Sequence, residues 1–146
     1  MSFHEPKLLI DGQLVDATGA ATYDNTNPAT GKVIGQAPDA SLADIDRAIA
    51  AARRAFDETD WSTNTELRVR CLRQLHDAYL ANSEEIRAMT VAEVGCPVGL
   101  TYAAQLDIPV SSIAYNADLL EGYEFDTDLG EAVPLGIKTH RTIARE

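Results

Sequence analysis

The spacing of apolar positions changes twice along this chain, and the changes divide it into three stretches. In the first, apolar runs are short and broken by turn-forming residues. Residues 7–15 read Lys-Leu-Leu-Ile-Asp-Gly-Gln-Leu-Val, with Asp11-Gly12 between two apolar runs. A two-residue type I′ turn needs positive φ at both central positions, so this pair predicts a hairpin. A second strand pair is predicted from Thr22–Thr26, polar but strand-compatible, and the apolar Val33–Ala37. Between them lies Asn27-Pro28-Ala29-Thr30-Gly31, where Pro28 fixes φ and Gly31 tolerates the return of the chain. Residues 7–37 therefore read as antiparallel ribbons. Isolated hairpins are marginal in water, so such ribbons need a surface to lie on.

From Ser41 the apolar spacing becomes three and four. Ser41 and Asp44 make a capping-box start, and Leu42, Ile45, Ile49, Ala52 and Phe56 then fall on one face of a helix running to Asp57. Asp46, Arg47, Arg53 and Arg54 fall mostly elsewhere. A second helix is predicted after Thr63, with Glu66 closing another capping box. Its stripe is Leu67, Cys71, Leu75 and Ala78, thickened by Leu72 and Tyr79. Ser83 is the expected cap of a third helix carrying Ile86, Met89 and Glu93, with Gly95 as its stop. Pro97 is placed to open a fourth helix, and Pro109 predicts a break or fresh start near Asp107. Ile108, Ile113, Ala117 and Leu120 carry an apolar face on to about Glu121.

After Gly122 the character changes again. Residues 123–133 are acidic, with Glu124, Asp126, Asp128 and Glu131, and their expected form is a solvated loop. Residues 137–145 are β-compatible: Ile137, Thr139, Arg141, Ile143 and Arg145 alternate with Lys138, His140, Thr142 and Ala144. Glu146 lies inside this predicted strand, and a domain that stops there leaves an exposed edge. The reading is of an incomplete unit.

Composition narrows the classes. A chain of 146 residues holds one domain and not comfortably two, and 45% hydrophobic residues permit a packed core. The formal net charge of -11 repels phosphate backbones and anionic membranes, which argues against nucleic-acid and lipid-surface roles. No apolar run approaches membrane-spanning length, and Met1 to Pro6, with Phe3, His4 and Glu5, lacks a signal pattern. A cytoplasmic protein is expected. Cys71 and Cys96 match no zinc or redox spacing.

The features occur in a telling order. Leu8-Leu9-Ile10-Asp11-Gly12-Gln13-Leu14-Val15-Asp16 is followed by Asn27-Pro28-Ala29-Thr30-Gly31-Lys32-Val33-Ile34. The helix from Asp44 through Arg47, Arg53 and Arg54 to Phe56 comes next, then Trp61, Glu93-Val94-Gly95 and Thr142-Ile143-Ala144-Arg145-Glu146. The series resembles the first part of the aldehyde dehydrogenase superfamily over nearly the whole chain. The resemblance implies an α/β protein, an incomplete N-terminal segment of that fold. Antiparallel ribbons at 7–37 and helices at 41–121 would belong to an NAD(P)-binding domain, here residues 1–122, and pack on a Rossmann-type sheet. Residues 123–146 would begin an oligomerisation β-arm.

The resemblance also implies a function. Family members oxidise an aldehyde to a carboxylic acid with NAD or NADP. A cysteine thiolate forms a thioester that a glutamate-activated water cleaves, and the subunits form homo-oligomers. The nucleophile, the general base, the adenosine lysine and the pyrophosphate turn all fall outside the matched region, and the chain contains no G-x-G-x-x-G or P-loop. No catalytic or cofactor-binding residue is therefore assigned, and no turnover or cofactor binding is expected of these residues alone. The alternative is a non-catalytic assembly module that binds a full-length relative. Some family members hold a monovalent cation, and Asp107 and the carbonyl of Thr26 match those positions. The residue-level reading makes Asp107 the cap of a helix starting at Ile108-Pro109, and both roles are compatible.

The other chemistry-bearing residues have plain readings. Cys71 sits on an apolar stripe, as a packing cysteine does. Cys96, between Gly95 and Pro97, is exposed to a helix N-terminus but has no neighbouring histidine, and a structural role is preferred. His4, His76 and His140 lack metal-ligand spacing, and Glu121, Glu124, Asp126, Asp128 and Glu131 lack the order of a calcium loop. Glu93, at a helix C-terminal end where the macrodipole opposes it, is expected to ion-pair with a neighbouring segment.

Overall fold

A computed structural model describes residues 6–144, so His4 and the final two residues lie outside the described part. The first hairpin pairs β1 (Leu8–Ile10) with β2 (Gln13–Val15), Ile10 opposite Gln13. Asp11 and Gly12 have φ of 54° and 73°, the two positive values the tight turn requires. The second ribbon pairs β3 (Thr22–Thr26) with β4 (Val33–Pro38), with a register shift between Asn25 and Thr26. Its turn is organised by Asn27. The Asn27 Oδ1 accepts from the N–H groups of Ala29 at 2.9 Å and Thr30 at 3.0 Å, and its carbonyl accepts from Gly31 N–H at 2.8 Å.

Helix α1 (Leu42–Glu58) starts with the expected capping box: Ser41 N–H donates to Asp44 Oδ2 at 2.9 Å and Asp44 N–H donates to Ser41 Oγ at 3.3 Å. Helix α2 (Thr65–Ala81) is capped by Asn64, whose Oδ1 accepts from Leu67 N–H at 2.8 Å. This corrects the expected Thr63–Glu66 box by one residue. Helix α3 (Ser83–Val94) follows at once. The expected Ser83 cap is not made: Asn82 holds the N-cap position without a side-chain cap, and its amide donates to the Ala78 carbonyl, finishing α2. Gly95 ends α3 in the left-handed conformation, φ 69°, and a Cβ there would lie 2.7 Å from Pro28 Cγ. Turn geometry and the close approach of the β3–β4 turn both demand glycine.

The fourth helix is a single turn, α4 (Val98–Thr101), preceded by Pro97. The chain then restarts as α5 (Asp107–Glu121), with Pro109 in its first turn, where the missing N–H leaves no ladder bond unmade. The last ribbon pairs β5 (Asp126–Ala132) with β6 (Thr139–Ala144). The acidic stretch is thus largely a strand and not the solvated loop expected for it. Aspartate and glutamate are poor strand formers, but their side chains find partners on and just before β6: Lys138 Nζ lies 2.8 Å from Glu131 Oε1 and His140 Nε2 lies 2.9 Å from Asp128 Oδ1.

The described sheets are three separate two-stranded antiparallel pairs, with the helices between the second and third. Packing centres on α2 against α5, where Val69, Val110 and Ala117 are buried and Ala117 is fully shielded. Buried Val69 lies off the Leu67–Cys71–Leu75–Ala78 stripe, whose Leu75 is exposed. The regular apolar stripe of α1 faces outward: Leu42 is 82% and Ile49 61% exposed, and Ile45 and Phe56 are exposed too. The helix instead buries Asp44 and Ala51. None of the described helices is long and apolar enough to cross a membrane.

Candidate functional site

The charged side chains converge at two buried nodes. The first is Asp44, 1% exposed. Its carboxylate accepts from Thr18 N–H at 3.0 Å, Thr18 Oγ1 at 2.8 Å, Ser41 N–H at 2.9 Å, Ser41 Oγ at 2.8 Å and Arg47 Nη2 at 2.6 Å. These bonds fasten the segment after β2 to the start of α1. The backbone N–H of Thr18 and then the backbone and hydroxyl of Ser41 hold its pKa well below the usual carboxylate range, against the opposing effect of burial.

The second node is Arg87, 6% exposed, on α3. Its Nε donates to Glu84 Oε1 at 3.1 Å, its Nη1 to Thr101 Oγ1 at 2.9 Å and its Nη2 to Asp107 Oδ1 at 2.9 Å. The guanidinium carbon lies 3.7 Å from the centre of the Tyr102 ring. Thr101, fully buried, donates its hydroxyl hydrogen bond to the Val98 carbonyl at 2.6 Å. Burial acts against the Arg87 charge, but the bonds to Asp107 and then Glu84 outweigh it and raise the pKa. One side chain thus ties α3, α4 and the first turn of α5 together. A third, exposed clasp joins α2 to α5: Arg73 Nη2 reaches Glu121 Oε2 at 2.7 Å and Asp118 Oδ1 at 3.0 Å, and those two acids raise its pKa in that order.

The residues singled out in the sequence are dispersed. Asp107 lies inside α5 and makes no cap; Leu106 holds the N-cap position and the Asp107 carboxylate turns to Arg87. Thr26 ends β3, paired with Val33. Glu93 accepts from the Asn25 amide at 2.6 Å, a neutral partner where an ion pair was expected. Cys71 and Cys96 are half-buried free thiols. His76 neighbours Asp77 at 3.5 Å. Among the described residues no three His, Cys, Asp or Glu side chains gather as a metal site. A concavity of about 340 Å³ between α2 and α3 is lined chiefly by Leu75, Tyr79, Ile86 and Met89, with no cysteine or histidine on its wall.

Sequence reasoning found Asp44 as half of a capping box but missed its burial, and it did not single out Arg87. Their partners Thr18, Thr101 and Asp107 lie 26, 14 and 20 positions away. The one local signal was Glu84 three residues before Arg87, the spacing of an ion pair along one helix face.

Taken together, the ribbons, the helical layer and the buried clasps define an α/β scaffold whose charged groups hold elements in place. The chain belongs to the aldehyde dehydrogenase family, whose profile matches residues 14–144. It is 33% identical over 112 residues to the putative aldehyde dehydrogenase DhaS of Bacillus subtilis, a match covering 76% of this chain and 23% of that protein. Among solved structures it resembles a point mutant of the betaine aldehyde dehydrogenase of Staphylococcus aureus in complex with NAD+, at 28% identity and a TM-score of 0.80, covering 88% of this chain and 26% of that one. It also resembles a mutant of aldehyde dehydrogenase C of Pseudomonas syringae, complexed with NAD+ and octanal, at 30% identity and a TM-score of 0.76 over 83% of this chain and 25% of that one. The chain therefore spans about a quarter of the length of the relatives it matches.

Proposed function

We propose that these residues form the N-terminal ribbon-and-helix layer of a cytoplasmic, NAD(P)+-dependent aldehyde dehydrogenase. Residues 1–122 contribute to its cofactor domain and residues 123–146 begin its oligomerisation arm. The activity of the whole is oxidation of an aldehyde to a carboxylic acid through a cysteine thioester. The observation that carries this reading is the outward-facing stripe of α1 in a chain matching a quarter of its relatives' length. A stripe this regular is built to be covered.

The part played by this chain's own residues is to hold and position. The Asp44 node orients α1 against the first hairpin and the Arg87 node fixes the α3–α5 corner. The family's nucleophile falls outside the matched stretch, so no thiolate attack is assigned to Cys71 or Cys96, both half-buried free thiols. The 146 residues alone are expected to give no NAD(P)H from any aldehyde and no calorimetric signal with NAD+ or NADP+. A micromolar dinucleotide affinity would overturn the assignment of the nucleotide site to other parts of the family fold.

A second reading has a specific observation behind it. The same open stripe, together with the two-stranded ribbons, suits an assembly module that docks on a full-length family member by strand addition or helix packing. Light scattering on a sizing column separates the two. Co-elution with a full-length relative supports the module, and a monomer that ignores it sinks that idea.

A further inference from the structure

We infer that Arg87 is the cation for Asp107: the corner where α3, α4 and α5 meet carries its own fixed positive charge in place of a bound monovalent ion. Family resemblance points to an ion held by Asp107 and the Thr26 carbonyl, and the donor set here does not fit one. The Asp107 carboxylate already has Arg87 Nη2 at 2.9 Å from Oδ1. A metal ion on the same carboxylate would stand within roughly 4–6 Å of the guanidinium, a separation at which like charges oppose each other strongly. Arg87 has nowhere to withdraw. Its other nitrogens are committed to Thr101 and Glu84, the Tyr102 ring covers its face, and it is almost wholly buried.

The choice of side chain follows from the acceptors. They come from three elements: a carboxylate on the same helix, a buried hydroxyl on α4 and a carboxylate on α5. A planar fork reaches all three at once, whereas a lysine ammonium or a spherical ion concentrates its charge at one point. The Asp107 charge is also placed well for α5, since a carboxylate in the first turn complements the helix dipole. Arg87 thus neutralises an acid that the helix itself favours.

The test uses the 146-residue chain in sodium, potassium and choline chloride at equal ionic strength. Melting temperatures in the three salts are expected to agree within about 1 °C. Arg87→Met is expected to lower the melting temperature by about 5 °C in every salt, with Arg87→Lys recovering only part of the loss. Asp107→Asn should fall in the same direction. The inference is overturned if sodium or potassium raises the wild-type melting temperature above that in choline and Asp107→Asn abolishes the rise. It is equally overturned if Arg87→Met melts like the wild type, or if no cooperative transition is seen. The sodium NMR line width gives a readout independent of stability: broadening by the wild type that Asp107→Asn removes would establish an ion at the carboxylate and end the proposal.

Discussion

Helices α1 and α5 are of similar length, 17 and 15 residues, yet they meet opposite fates. In α1 the apolar residues repeat cleanly, and that stripe faces solvent while Asp44 and Ala51 go inside. In α5 the pattern is interrupted by Ser111, Ser112 and Asn116, yet Val110 and Ala117 reach the interior against α2. The difference separates two things that amphipathicity is often taken to mean together. A periodic stripe states that a face is suited to burial. It does not state that the cover comes from nearby in the chain. In α5 the cover is α2, clasped by Arg73. In α1 the first hairpin lies only along the Ile45 and alanine side, leaving Leu42 and Ile49 largely open, and the apolar area left exposed forgoes about 25 cal/mol for each Å².

The comparison predicts where substitution is costly. Ala117→Phe should have the largest effect. Position 117 has no exposed surface, and a ring there must push α5 off α2. Overpacking of this kind costs up to about 3 kcal/mol, so the urea midpoint should drop sharply. A midpoint unchanged by Ala117→Phe would mean that the α2–α5 seam is not the stabilising core, and the contrast with α1 would fail at its better-packed end.

Next comes acid. The folded-state pKa of Asp44 is depressed, chiefly by the Thr18 N–H and then by Ser41. The stability linked to it is therefore fully present above the ordinary carboxylate value of about 4 and is lost as pH falls from there toward the folded-state value. The denaturation midpoint should decline between about pH 5 and pH 2. In Asp44→Asn the midpoint should be lower at neutral pH and the acid limb shallower, because no charge is left to neutralise at the head of α1. An acid limb of unchanged steepness in that variant would assign the effect to other carboxylates.

How much of this was legible in the residues divides along the same line. Features whose partners are close in sequence were readable: the Asp11-Gly12 turn, the Ser41–Asp44 box, the Gly95 stop and the fresh start near Asp107. The α2 cap was displaced by one because Thr63 and Asn64 are both good caps, and it is the Asn64 side-chain Oδ1 that reaches Leu67 N–H. The strand at 126–132 was hidden because its acids find Lys138 and His140 only once β6 lies alongside. The two buried nodes were illegible for the same reason at longer range. An alanine-rich face of α1 gives no hint that Asp44 will meet Thr18, and nothing around Arg87 announces Thr101 or Asp107. The family assignment needed none of those contacts, since it rested on the order of local features along the chain.

The smallest expected effect is the sharpest test of the contrast. Ile49 lies midway along the open stripe of α1, and Ile49→Glu places a carboxylate one helical turn before Arg53. Glutamate is a better helix former than a β-branched residue, and an acid four positions ahead of an arginine is a favourable pairing. In the 146-residue chain the stability should move by no more than about 0.5 kcal/mol, while binding of an apolar dye should fall. Mixed with a full-length relative that covers the stripe, the same substitution buries an unpaired carboxylate, at a cost of about 3 kcal/mol or more. Association, if the wild type shows it, should then be lost. A small effect in both settings would make the stripe an ordinary solvent-facing surface, and the regular pattern of α1 would then reflect helix formation alone. A large effect in the isolated chain would mean that α1 is already covered, which would remove the difference between α1 and α5 altogether.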